Sequence, residues 1–135
     1  MAEYLLDTSA WIAHLLGEPG ATEIAALLEE PRSSLSICSI SILELFGRLS
    51  AAARSDSFAE VWERYRALFA IVRDVTEAVA LEAVQIRRAV PDRLPTVDAL
   101  IAATAAHYGS ILIHRDPHFR AIPLELVEQR MLPES

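Results

Sequence analysis

Residues 95–117 read PTVDALIAATAAHYGSILIHRDP, and this stretch decides the fold class. Thr96 is read as the cap of a helix, with Val97, Ile101, Thr104 and Tyr108 at helical spacing on one face. Gly109 closes that helix. Ile111, Leu112 and Ile113 then form the most apolar strand of the chain, ended by Asp116 and Pro117. A helix leading by a tight turn into a short, wholly apolar strand is the repeating unit of a parallel sheet covered on both faces.

The rest of the chain repeats that unit. Glu3 to Leu6 is a first buried strand, followed by a helix over about Ser9–Leu16 that Gly17 and Pro19 close. A helix fits Ala21 to Glu30, and Pro31 stops it. Leu35–Ser39 is a strand running into a helix over about Ile40–Ala53. Ser57–Phe69 is amphipathic, Ile71–Val75 is a short strand, and Thr76 caps the next helix. PDRLP (91–95) is a turn, and a last short strand is expected near Leu124–Val127. The expectation is one α/β domain over residues 1–135. Its mostly parallel sheet has 4–5 short strands with helices on both faces.

Composition supports a packed domain and removes many chemistries. Of 135 residues, 53% are hydrophobic and 23% charged, enough to bury a core. The net charge of −7 argues against an extended basic surface for nucleic acid. All 12 basic residues are arginine, and lysine is absent. That excludes the Walker-A phosphate loop, Schiff-base chemistry and the kinase lysine. Asparagine is absent too, which excludes a Cys-His-Asn triad. Cys38, the single cysteine, allows no intramolecular disulfide and reads as a small buried hydrophobe. The N-terminus lacks a basic leader region, and no run of eighteen apolar residues occurs, so a cytoplasmic protein is expected, without a membrane partner.

Ligands of parallel sheets bind beyond the carboxyl ends of the strands. Asp7 and Asp116 follow predicted strands, and Asp98 lies in the first turn of the helix above. Each has an ordinary reading: Asp7 as a helix cap, Asp98 as a complement to the helix dipole, and Asp116 as a turn residue. Glu44 pairs with Arg48 at i,i+4, worth about 0.2–0.5 kcal/mol on a solvated face. Jointly they describe something else. Carboxylates ~4 Å apart repel by roughly 4 kcal/mol at an effective dielectric near 20, so a cluster must take up protons or a cation. Oxygen ligands select hard ions such as Mg²⁺ or Mn²⁺, which serve in-line attack of water on a phosphodiester.

The sequence resembles the PIN-domain ribonucleases, and among them the VapC toxins of toxin–antitoxin pairs. The segments that carry the likeness are YLLDTSAWIA, SISILELFGRL and PTVDALIAATAAHYGSILIHRDPHF, in that order. The resemblance implies that Asp7, Glu44, Asp98 and Asp116 are the metal-binding and catalytic set, Asp116 being the least uniformly required in the family. Thr8 or Ser9 would be the hydroxyl residue beside the first acid. It further implies an endoribonuclease leaving a 5′-phosphate, a VapB-like antitoxin reaching in with a basic side chain, and a homodimer. A PIN nuclease of RNA processing without a toxin role, and an inactive PIN-like binding module, are the alternatives.

His114 departs from the family, which usually has threonine or serine two residues before the last aspartate. It could bind phosphate, bond to a carboxylate or fill the strand end, the last being favoured. His14, His107 and His118 lack metal-ligand spacing and read as surface or capping residues. Arg115 and Arg93 are candidates for RNA phosphate contact. Trp11, Leu15 and Leu16 are candidates for an apolar partner surface, against ordinary core. A haloacid-dehalogenase-type phosphatase would need an aspartate where Ser9 stands, and it shares with a response-regulator receiver the need for a lysine. Both fail.

Overall fold

Strand and helix alternate through the computed structural model, which describes residues 2–91 and 94–134. The order is β1 (Ala2–Leu6), α1 (Thr8–Leu16), α2 (Ala21–Glu29), β2 (Ser33–Cys38), α3 (Ile40–Ala51), α4 (Phe58–Leu68), β3 (Ile71–Arg73), α5 (Glu77–Ala89), α6 (Thr96–Tyr108), β4 (Ile111–His114) and β5 (Gln129–Met131). Short 3₁₀ turns cover Ser55–Ser57 and Pro117–Ala121. The five strands form one sheet in the order β3-β2-β1-β4-β5, every pair parallel.

Alternation along the strands splits the core in two. Leu5, Cys38 and Leu112 face α5 and α6, while Tyr4, Leu6, Ile37 and Ile113 face α1 to α4. With both faces covered, the interior strands β1 and β4 have no polar side to show, which is why YLL (4–6) and ILI (111–113) read as continuous apolar runs. The chain builds outward from β1 through β2 to β3, then crosses back to lay β4 on the other side of β1. Leu6 is in register with both Ile37 and Ile113. Neighbouring strands therefore end together where the strand order reverses, the place where such sheets open a crevice.

Four local expectations change. The strand expected over Leu124–Val127 is instead a turn, with Leu126 and Val127 N–H both donating to the Pro123 carbonyl. The edge strand comes later, at Gln129–Met131, where pairing with β4 fixes it. Thr96 is the first residue of α6, not its cap. Pro95 holds the extended cap position and its carbonyl takes the Ala99 N–H at 2.9 Å. Helix α3 stops at Ala51, and Ala53 takes a positive φ of 57°. Trp11 is fully buried against Trp62, Tyr65 and Phe69, so it belongs to the core and to no partner surface. Thr76 does cap α5, accepting from the Val79 N–H at 3.2 Å, and Cys38 is buried. Within the expected PDRLP turn, Asp92 and Arg93 lie outside the described residues.

Candidate active site

Asp7 leaves β1 and caps α1, so the bland reading of this residue is true and incomplete. One of its oxygens accepts from the Ser9 N–H at 3.0 Å and the Ser9 hydroxyl at 2.6 Å. The Ser9 oxygen in turn accepts from the Arg115 N–H at 2.9 Å, and the Asp7 N–H donates to the Ile113 carbonyl at 2.9 Å. The end of β1, the start of α1 and the exit of β4 are thus tied through one carboxylate and one hydroxyl. Asp7 is 4% exposed. Burial pushes its pKa up to about 6 despite the two Ser9 bonds that favour the charged form, with Glu44 and Asp116 adding repulsion.

Glu44 reaches the same place from α3. Its carboxylate accepts from the Thr8 hydroxyl at 2.5 Å instead of pairing with Arg48, and no Glu44–Arg48 ion pair forms among the described residues. Asp98 sits in the first turn of α6, 9% exposed. Burial raises its pKa to about 7, helped by the charges of Asp7, Asp116 and Glu44 and opposed by His118. Asp116 caps the 3₁₀ turn after β4, accepting from the His118 N–H at 3.0 Å. Asp7, Thr8, Ser9, Glu44, Gly47, Arg48, Asp98 and Asp116 line one hollow of about 240 Å³.

The histidines divide. His114 is buried at the end of β4, its ring against Phe119. Its Nδ1 accepts the Asp116 N–H at 3.2 Å, so Nε2 carries the proton toward Gln129 Oε1, 2.9 Å away. Burial lowers its pKa. It fills the strand end and fixes the backbone of Asp116, as favoured. His14 bonds to Tyr65 and His107 lies beside Glu82, both outside the hollow. His118 is not the plain surface or capping residue expected. Its Nδ1 stands 3.1 Å from Asp116 Oδ1 and 3.4 Å from Asp98 Oδ2. It stands two residues beyond Asp116, the same spacing by which Ser9 serves Asp7, and that was the available signal.

The cations also move. Arg115 turns its guanidinium to Glu18, at 2.5 Å, and to the Pro19 carbonyl, at 3.1 Å. Arg93 lies outside the described residues. The arginine on the wall of the acidic hollow is Arg48, which i,i+4 spacing pairs with Glu44 on a solvated face. Arg48 also borders a neighbouring trough lined by Ile12, Leu15, Leu16 and Leu49.

Residues 4–124 match the family model of the PIN domain. The chain belongs to the PIN domain family. Within it, the chain is 30% identical to Ribonuclease VapC11 of Mycobacterium tuberculosis and to VapC ribonuclease Mb1587 of Mycobacterium bovis. Both alignments span 125 residues, covering 87% of this chain and 90% of the relative. The fold is similar to that in VapBC2 from Rickettsia felis, solved with a promoter DNA fragment, at a TM-score of 0.78 and 16% identity. That match covers 97% of this chain and 99% of the other. FitAcB from Neisseria gonorrhoeae gives a TM-score of 0.73 at 24% identity, covering 94% of this chain and 96% of the other.

The PIN fold here gathers acids that ordinary stability would keep apart, since desolvated like charges raise one another's pKa. Asp98, Asp116 and His118 offer ligand atoms that all lie within 4.8 Å of one another. Oxygen-rich donors around an acidic hollow fit a hard divalent cation.

Proposed function

We propose that this PIN domain, over residues 1–135, is a divalent-metal-dependent endoribonuclease and the toxin of a toxin–antitoxin pair. The observation that carries the reading is the convergence of Asp7, Glu44, Asp98 and Asp116 on one hollow from four separate elements. The VapC relatives, named as ribonucleases, support the substrate class.

Asp7, Glu44, Asp98 and Asp116 are the catalytic set and would hold Mg²⁺ or Mn²⁺. When bound, the ion polarises the phosphoryl oxygens and lowers the pKa of the attacking water. The chain's own part is to place carboxylates. Ser9 holds one Asp7 oxygen and leaves the other free, Thr8 fixes Glu44, and the His118 N–H orients Asp116. Thr8 and Ser9, the candidates for substrate binding, line the hollow and act through the carboxylates that they hold. Arg48 supplies a guanidinium for a phosphate oxygen at the wall. Arg115 joins it in substrate binding only if RNA draws its side chain from Glu18. Water adds to phosphorus, the bond to the 3′ oxygen breaks, and that oxygen leaves with a proton. The products are a 5′-phosphate and a 3′-hydroxyl.

A VapB-like antitoxin is the partner that this arrangement suits. The Ile12, Leu15, Leu16 and Leu49 trough shares Arg48 with the acidic hollow, so an apolar segment lying in it could deliver a basic side chain to the carboxylates. The solved VapBC assemblies that share the fold support that reading. We further propose a homodimer acting on cytoplasmic RNA. Among the described residues no helix is long and apolar enough to cross a membrane.

The test is cleavage of single-stranded RNA by wild type, Asp7→Asn and Asp98→Asn, with Mg²⁺ or Mn²⁺ and with EDTA. Each substitution removes a ligand and should cost more than the ~10–100-fold typical of losing a ligand's hydrogen-bond partner. Mutants that cut as fast as wild type, or full activity in EDTA, would remove the mechanism.

A further inference from the structure

The carboxylate set accounts for the hollow but not for the imidazole at its mouth. His118 is the one histidine of four that faces these acids. His114 has both ring nitrogens engaged, while His14 and His107 lie elsewhere. Asp98, nine-tenths buried, accepts no hydrogen bond among the described residues, and its charge partner is His118 alone. A carboxylate so buried, with no hydrogen bond and one half-exposed imidazole beside it, leaves room for a further positive centre to complete the group.

Ligand atoms on one octahedral ion at ~2.1 Å stand ~3 Å apart at adjacent corners. His118 Nδ1 lies 3.1 Å from Asp116 Oδ1 and 3.4 Å from Asp98 Oδ2, close to that spacing on both sides. The residue is held there from behind, because its backbone N–H donates to Asp116 Oδ1 at 3.0 Å and Pro117 precedes it in the turn. Neither oxygen has to move far for all three atoms to face one ion.

We infer that His118 is a nitrogen ligand of the cation, sharing it with Asp98 and Asp116, and that this mixed set favours Mn²⁺ over Mg²⁺. The inference rests on the metal-dependent reading above and adds to it a ligand outside the four carboxylates. Imidazole nitrogen binds transition ions and contributes little to Mg²⁺, which keeps to oxygen. A counter-ion role gives the opposite sign. An imidazolium that merely neutralises the acids competes with an incoming cation, so its removal would tighten metal binding.

The experiment is Mn²⁺ binding to the full chain, followed by electron paramagnetic resonance, with pulsed detection of ¹⁴N coupling. Wild type should show ¹⁴N modulation from a directly bound imidazole, and His118→Ala should lose it. Mn²⁺ affinity should fall by at least ~10-fold in His118→Ala and His118→Gln, and Mg²⁺ affinity, by competition, should fall less. The side chain is half exposed, so both variants should fold, and the wild-type spectrum alone already decides the ligand. Mn²⁺ bound without ¹⁴N coupling, or bound as tightly or more tightly by the variants, overturns the His118 assignment and leaves the carboxylate site standing. Wild type that binds no Mn²⁺ overturns both.

Discussion

Ser9 has one hydroxyl and two duties. It donates to Asp7 at 2.6 Å and accepts from the Arg115 N–H at 2.9 Å, so it both favours the charged form of Asp7 and ties β4's exit to α1. Replacing it by alanine removes both bonds while the Ser9 N–H still caps onto Asp7. Ser9→Ala should therefore raise the Asp7 pKa further, weaken divalent-ion affinity by about 10-fold, and lower stability by about 1–2 kcal/mol. Isothermal titration with Mn²⁺ and urea unfolding would check the two effects separately. The acids themselves were legible at this scale because each stands at a strand end or helix start. Arg48 was not, since i,i+4 spacing with Glu44 predicts a pair that the Thr8 hydroxyl takes over. His118 is not legible from spacing between histidines, because its partners are carboxylates.

Between α1 and α2 the chain turns on Gly17 and Gly20, both in the left-handed region, with φ of 65° and 99°. Gly20 has a second reason to be glycine. A Cβ there would stand 2.9 Å from the Cβ of Leu132, which follows β5 and is itself buried. Gly20→Ala meets both an unfavourable backbone and a clash with a packed neighbour, and should lose about 1–3 kcal/mol in urea unfolding. Gly17→Ala has open space around it and should lose less. Elements buried on both faces were readable from their apolar runs, α6 and β4 above all. The edge strand β5 was not. Its three residues, Gln129–Met131, are fixed by pairing with β4, while the more apolar Leu124–Val127 winds into a turn on Pro123. Helix α1 misled for a related reason: the sequence shows apolar residues but not that Trp11 fills the space between α1 and α4 while Leu16 stays 46% exposed.

For the whole molecule, the arithmetic of −7 changes meaning once the acids are placed. The order of the acids and the alternation of strand and helix made the assembly legible, because a parallel sheet that reverses its strand order brings those positions to one crevice. The strain of gathering them was not legible, since it depends on burial. It predicts how stability varies with pH. Asp98 titrates near 7 in the folded chain and near 3.8 when unfolded, so between those values the folded state holds the extra proton and is favoured. That advantage is complete below the unfolded value and disappears as pH rises through 7; Asp7, near 6, loses its share earlier. His114 and His14 act in the opposite direction. Their lowered pKa values leave the unfolded chain binding more protons below about 6.5, which takes stability away on the acid side. In EDTA the Asp98 share of this balance should fall by about 1 kcal/mol, roughly 3 °C in melting temperature, between pH 6.5 and 8.5, read as wild type against Asp98→Asn. Asp98→Asn should flatten that alkaline fall, and saturating Mn²⁺ should reverse it, because a cation that binds the charged carboxylates stabilises the fold most where protons no longer do. Scanning calorimetry at the two pH values, with EDTA and with Mn²⁺, measures all three effects. Metal-free melting temperatures of wild type and Asp98→Asn that follow the same profile from pH 6.5 to 8.5 would mean that Asp98 is already charged and solvated in the folded chain.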